Sequence, residues 1–325
     1  MLTDHRGHSA ENSLYALVQA MRQHPRCVQL EVATCGSAKN EAFFNGEDLT
    51  ELWGTTVGAD FAFHPEGTSY FHQERELSLA DYDLVWHRMP PPLTSERRDL
   101  LLNAFPNAVQ INHPAGIYET GSKGFLLNFP ELCPPMQLCK SLEDIISLKS
   151  RFPIVLKPLR EYGGRGLVRI DGDQVWEGKK TSNWSTFAAK LTEEPVEYLG
   201  VKYLQGVREG DKRIVVVNGE ILGASLRLPA DGSWLCNIAM GGSSQPAVVD
   251  EDEYQIIRSL NPRLAQLGIA MYGVDTLVDD SGTRRLSEIN TTSVGGVPQM
   301  GQINGRAAAA VVVDLILDFY NQQAI

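Results

Sequence analysis

The sequence predicts a mixed α/β (α+β) fold in three parts, and three observations carry that expectation. Helical and strand periodicities alternate over residues 1–112, which implies a parallel sheet with helices on both sides. A smaller mixed segment follows, from 113 to about 200. From 201 to 325 the chain is strand-rich, and Asn218-Gly219 marks a two-residue hairpin turn within it. A chain of 325 residues is long enough for two or three small domains and a large core.

Taken in order, the first helix is announced by Asn12 and Ser13 as cap residues, with Leu14, Leu17, Val18 and Met21 at helical spacing. Val28, Leu30 and Val32 alternate as a strand. Asp83 to Trp86 is a short apolar strand, a helix covers roughly 95–104, and Ala108 to Ile111 forms another strand. A strand normally precedes the first helix in such an alternation. Only Met1 to Asp4 is available for it, so that strand is very short or the chain's start is clipped. In the middle segment a helix starts at Lys123, and Met136 to Cys139 is a strand. Ser141 to Asp144 caps a helix that runs to Arg151. The stretch 152–170 reads as a buried strand carrying Lys157, a glycine turn and a second strand. Residues 211–228 form the hairpin, and Pro229 to Pro246 reads as a Gly- and Ser-rich loop. A helix over 251–267, two further strands and a terminal helix from about 304 complete the chain.

Composition narrows the classes. An apolar fraction of 43% with 21% charged residues is that of an ordinary soluble globular protein. The formal net charge of −11 argues against nucleic acid or an anionic membrane as the main partner. The five cysteines, Cys27, Cys35, Cys133, Cys139 and Cys236, are odd in number and lack a Cys-x-x-Cys pair, which fits a reducing cytosol. The polar start is no signal peptide, and the apolar run Ala307 to Val313 is far short of a membrane span.

Three signals carry chemistry. The first is LSEINTTSVGG at 286–296. Side chains alternate along a strand, so Glu288 and Asn290 share a face, presenting a carboxylate and an amide oxygen. Hard cations such as Mg²⁺ take oxygen donors of this kind. If the DDSG turn at 279–282 pairs this strand with YGVDTLV, Asp275 lands beside Glu288. A hairpin with solvated acids fits the same residues, and the trio alone does not decide between them. The second signal is EYGGRG, with Gly163, Gly164 and Gly166 directly after the strand bearing Lys157. Glycines let backbone N–H groups approach phosphate oxygens and a lysine adds a point charge. A plain glycine-rich hairpin turn remains the alternative. The stretch is neither a Walker motif nor a dinucleotide fingerprint. The third signal is cationic. Lys212-Arg213 opens one hairpin strand and Arg227 closes the other, so the two arginines can neighbour each other as a clamp for an anion.

The order Lys123, VLKPLREYGGRG, GDKRIVVVNGE, SLRLP, YGVDTLV and SEINTTS resembles the ATP-grasp ligases, and bacterial glutathione synthetases most closely. The resemblance spans essentially the whole chain and is strongest from Ile154 to Ser293. It implies an ATP-grasp fold: an N-terminal pre-ATP-grasp domain over 1–112, a lid over 113–200 and a catalytic, antiparallel-sheet part over 201–325. It further implies that Lys123 and Lys157 contact nucleotide phosphates, with Gly163, Gly164 and Gly166 closing over them. Lys202, Tyr203 and Leu204 receive adenine. Asp275, Glu288 and Asn290 hold two Mg²⁺ ions, with Mn²⁺ an alternative, and Arg213 and Arg227 face the acyl phosphate and substrate. Arg88, Asn237, Thr292 and Ser293 are the substrate candidates. Small amino acid or dipeptide substrates, a cytoplasmic setting and a homo-oligomer are the remaining implications.

The chain departs from that family at three places. His87-Arg88-Met89-Pro90-Pro91 stands where Arg-Lys-Asp-Pro-Pro is usual. Leu235 replaces a loop arginine, and Val201 replaces a polar hinge residue. These positions touch substrate recognition and loop closure, not the ATP or metal groups. The expected reaction is therefore amide formation from γ-glutamylcysteine and glycine. The alternatives are another amino acid or protein-tail substrate for the same chemistry, or a non-catalytic nucleotide-binding homologue.

Overall fold

The computed structural model describes residues 1–192, 196–230 and 243–323. Three large sheets organise them, beside a two-stranded ribbon of Gln302–Ile303 and Arg306–Ala307. The first has the order β4-β3-β2-β1-β5-β6, built from Leu2–Thr3 (β1), Glu31–Thr34 (β2), Trp53–Thr56 (β3), Arg75–Glu76 (β4), Leu84–Arg88 (β5) and Val109–Ile111 (β6). Its centre, β2-β1-β5-β6, is parallel, and β3 and β4 extend one edge in antiparallel fashion. The first strand is indeed two residues long. β2 begins at Glu31 rather than Val28, because Val28 projects fully into solvent.

The first helix, α1 (Ser13–Gln23), is capped by Asn12, whose side chain accepts from the Leu14 N–H. Short α2 (Glu41–Asn45), α3 (Ser95–Ala104) and α4 (Pro114–Thr120) complete the helices of this part. Lys123 opens a 3₁₀ helix (Lys123–Asn128), not an α-helix.

The second sheet, order β11-β10-β9-β8-β12-β7, is antiparallel throughout. Its strands are Met136–Cys139 (β7), Ile154–Pro158 (β8), Val168–Asp171 (β9), Gln174–Glu177 (β10), Lys180–Asn183 (β11) and Tyr198–Lys202 (β12). One face is covered by α5 (Leu142–Lys149) and α6 (Trp184–Leu191) over a core of Ile145, Leu148, Leu156, Ile170 and Phe187. The start of α5 is a complete capping box between Ser141 and Asp144.

The third sheet, order β15-β14-β13-β16-β17, comprises Asp211–Val217 (β13), Glu220–Leu228 (β14), Ser243–Ala247 (β15), Met271–Val278 (β16) and Arg284–Asn290 (β17). Asn218 and Gly219 both have positive φ, as the hairpin turn requires. Helix α7 (Glu251–Gln266) packs Ile256, Ile257 and Leu260 on one face against Ile214, Val216 and Val274. On the other face α8 (Ala308–Gln323) buries Val312, Val313 and Ile316 against Val215, Val217 and Met271, and this core extends to Trp86 and Ile111 of the first sheet.

Two expectations need correction here. The end of the expected loop is strand β15, which pairs with β14 at a sheet edge with Ser243, Ser244 and Gln245 exposed, and so lacks an apolar signature. The terminal helix starts at Ala308, because Asn304 and Gly305 take positive φ in a turn first.

Asn112 joins the first sheet to the third. Its Nδ2 donates to the carbonyls of Met271 (2.6 Å) and Thr291 (2.7 Å), and its Oδ1 accepts from the N–H groups of Ala270 (2.8 Å) and Met271 (2.9 Å). Nearby, α4 runs so close to the end of α7 that a Cβ on Gly116 would lie 2.1 Å from the Leu267 carbonyl oxygen.

Candidate active site

The site is a cleft of about 1040 Å³, counted to its open mouth, between the second and third sheets. Its two ends differ chemically. Val155, Leu167, Val201, Tyr203, Leu204, Val207 and Leu277 form an apolar end, while Lys123, Lys157, Asp211, Arg213, Arg227, Asp275 and Glu288 form an ionic one. At the apolar end the Arg169 guanidinium stacks 4.0 Å over the Tyr203 ring, and Lys202 Nζ turns aside to Asp280 at 2.6 Å.

Strand pairing builds the ionic end. Asp275 sits directly opposite Glu288 across β16 and β17, with Gly273 opposite Asn290. Asn290 Nδ2 donates to Asp275 Oδ2 at 3.3 Å, so the three oxygen-bearing side chains converge. The register breaks just beyond this point: Asp275 pairs with Glu288 but Thr276 with Leu286, leaving Ser287 as the extra residue of a bulge. That extra residue lets Leu286 point into the core under α7 while Glu288 points into the cleft. Without it, strict alternation would put both on one face.

Cations neutralise these acids. Arg213, opposite Asp275 on β13, forks onto it through Nε and through Nη2 (2.7 Å), and Arg227 Nη2 reaches Asp275 Oδ2 at 2.9 Å. Burial opposes ionisation of Asp275, yet the two arginines prevail and hold its carboxyl at about 2. Arg227 also forks onto Asp211, its cross-strand neighbour, at 2.6 and 2.5 Å. Burial first, and Asp275 second, push the Asp211 carboxyl up.

The two lysines converge from the other side of the cleft. Lys123 Nζ lies 3.5 Å from Glu288 and donates to the Glu161 carbonyl. Lys157 Nζ reaches both the carbonyl and the hydroxyl of Ser287, each at 3.1 Å. Burial, and then the charge of Lys123, bring the Lys157 ammonium below its ordinary range against the pull of Glu288. Gly163, Gly164 and Gly166 all adopt positive φ in the turn after β8, and Gly164 lines the cleft.

The donor set suits a hard cation: two carboxylates and an amide oxygen, with lysines and arginines around them. Among the described residues no group of three or more His, Cys, Asp or Glu has metal-site geometry, so Asn290 is needed to complete the trio. The paired apolar and ionic ends suit a nucleotide, with base and phosphates at opposite ends.

The substrate candidates Arg88, Thr292 and Ser293 lie elsewhere. Arg88 is only 5% exposed; its Nη2 donates to the Val294 carbonyl at 2.8 Å, while Nε has no hydrogen-bond partner among the described residues. Ser293, held at positive φ, donates from Oγ to the Met89 carbonyl at 2.7 Å. These two residues clamp the loop after β17 to the first sheet and do not line the cleft. Thr292 is in the same loop, and Leu235 and Asn237 lie outside the described residues. His87 faces away from the site, buried against Gln110. Sequence reasoning missed Asp211, Ser287 and Asn112. A two-residue turn at Asn218-Gly219 would pair Asp211 with Leu226 by counting alone. A bulge between Val215 and Val216 and their partners moves that pairing to Arg227.

These sheets and this cleft define an ATP-grasp ligase. The chain shares its fold with the D-cycloserine synthetase DcsG (TM-score 0.62, 13% identity, 96% of this chain and 97% of that one). It is likewise similar to the D-alanine-D-alanine ligase from Coxiella burnetii (TM-score 0.57, 12% identity, 99% and 94%). A sequence model of the prokaryotic glutathione synthetase ATP-grasp domain matches residues 122–305, and the chain belongs to that family. Its relatives include the glutathione synthetase of Bradyrhizobium diazoefficiens, 30% identical over 250 residues (75% of this chain, 76% of that one). That of Prochlorococcus marinus strain MIT 9313 is 29% identical over 313 residues (95% and 94%). The protein is an ATP-dependent ligase that forms C–N bonds.

Proposed function

We propose that this ligase makes glutathione, joining γ-glutamylcysteine to glycine through an acyl phosphate. The dipeptide's glycyl-accepting carboxylate attacks the γ-phosphorus of ATP, ADP departs, and the glycine amine then attacks the acyl carbon, expelling phosphate and a proton. The observation that carries this reading is the convergence of Asp275, Glu288 and Asn290 with four cationic side chains at one end of a cleft whose other end is apolar. Phosphoryl transfer needs alignment and charge neutralisation more than covalent help.

Lys157 and Lys123 would neutralise phosphate oxygens, and the glycine turn would bring backbone N–H groups to them. Arg213 and Arg227 would meet the charge that develops on the acyl phosphate and the tetrahedral carbon. Tyr203, Leu204 and the Lys202 backbone would take the base. Asp275, Glu288 and Asn290 would hold Mg²⁺, which when bound neutralises the phosphates and aligns them. The three-part division at about 112 and 200 belongs to this reading, with the second boundary inside β12.

A second reading keeps the chemistry and changes the amine or the carboxylate. Met89 favours it: where the family pattern has an acid, this residue is a 3%-exposed part of the core, and Arg88 beside it has no carboxylate partner among the described residues. Incubation with Mg-ATP and γ-glutamylcysteine, adding each amino acid in turn and reading ADP release, separates the two. Turnover with glycine alone supports the first. Turnover with a different acceptor selects the second, and nucleotide binding without turnover on any acceptor refutes both.

A further inference from the structure

Two arginines compete for one buried carboxylate. Arg213 and Arg227 together engage both oxygens of Asp275, which is 3% exposed. They differ in what else they can hold. Arg227 already forks onto Asp211 at 2.6 and 2.5 Å, whereas Arg213 has no second carboxylate among the described residues. Asp211 lines the same cleft, one strand further from Glu288 and Asn290, and the reaction above gives it no part.

We propose that Asp211 is a positioning residue, a holding carboxylate that retains Arg227 when a divalent cation takes over Asp275. The inference rests on the reading of Asp275 as a metal ligand. A divalent cation held by Asp275 would repel the guanidiniums on the same carboxylate, so holding one would favour release of Arg227 Nη2 from Asp275. A guanidinium set loose in a half-buried cleft is costly unless another anion receives it. Asp211 receives it with no backbone movement, because the fork is already formed. Arg213, lacking such a partner, is the arginine released toward the substrate's anion. Asp211 thereby decides which of the two moves.

The test is a double-mutant cycle read by Mn²⁺ binding in the presence of a non-hydrolysable ATP analogue, with free Mn²⁺ followed by electron paramagnetic resonance and no turnover required. Asp211→Asn is expected to weaken Mn²⁺ binding about tenfold, the low end for losing a group that orients a metal site. With Arg227→Gln in the same chain, Asp211→Asn should cost nothing, because the competitor is gone. Arg227→Gln alone should bind Mn²⁺ no more weakly than the parent, which decides the matter should Asp211→Asn fail to fold. An equal loss from Asp211→Asn in both backgrounds, or no loss in either, overturns the proposal. Asp275→Asn, measured alongside, checks the underlying reading: unchanged Mn²⁺ binding there removes Asp275 from the metal site and takes this inference with it.

Discussion

Lys157 Nζ stands 3.1 Å from both polar groups of Ser287, the one residue that the bulge in β17 adds to the strand. The bulge thus supplies a cradle for a cation on the opposite sheet. If Lys157 meets nucleotide phosphate, losing part of that cradle should weaken ATP binding and spare the chemical step. Ser287→Ala is expected to raise KM for ATP several-fold, within the ~10-fold lower bound for an orienting partner, with kcat within about twofold. Lys157→Met should cost far more. Steady-state kinetics with ATP varied checks both. A fall in kcat at constant KM for Ser287→Ala would contradict the assignment.

The Glu288 side chain faces the cleft, and its ion-pair partner among the described residues is Lys123 at 3.5 Å. Its replacement should therefore leave the fold intact. Glu288→Gln is expected to lower kcat by about 10²–10³-fold or more, the scale for one preorganised group acting on developing charge. Circular dichroism and thermal melting should match the parent. Near-normal activity would remove Glu288 from the metal site.

The buried ring of His87 gives stability a pH dependence. Burial pulls its pKa down from an ordinary 6.5 to about 4, so the unfolded chain binds this proton more readily than the folded one. The contribution is fully present above about 6.5 and is lost as pH falls toward about 4. Its size is at most about 3 kcal/mol. Urea denaturation of His87→Gln should show a shallower decline across that window than the parent, since the amide keeps a polar partner for Gln110 and does not titrate. Parallel pH profiles would mean that other groups set the acid sensitivity.

Asn112 spends all of its side-chain hydrogen-bonding on the third sheet, through four bonds of 2.6–2.9 Å. Truncation strands several buried backbone groups, each costing about 1–3 kcal/mol. Asn112→Ala is expected to destabilise the chain by about 3 kcal/mol or more, measured by chemical denaturation. A change below about 0.5 kcal/mol, typical of surface sites, would show that the seam repacks.

Much of this site is legible in the sequence. Asn218-Gly219 requires positive φ and so located the hairpin. The strand periodicity placed Glu288 with Asn290, and the short turn at 279–282 brought Asp275 opposite. The apolar residues before Lys157 placed it against the protein. Register was harder to read. Each bulge changes which side chains share a face, and no residue type announces the one at Ser287 or the one that pairs Asp211 with Arg227. The seam was also hidden: Arg88 and Ser293 are polar residues next to a functional loop, a setting equally consistent with binding a ligand and with bracing the loop. β15 carries no sequence signal because an exposed edge strand needs no apolar alternation.

The join at Asn112 and the close pass of Gly116 over Leu267 have a mechanical consequence. Two of the three sheets are fastened at hydrogen-bond and van der Waals range, so they form one anvil. Lys157 and the glycine turn sit on the remaining sheet, β7 to β12, which meets that anvil across the cleft through Lys157 to Ser287 and Lys202 to Asp280, so any change in the spacing of the two walls would have to break these polar links.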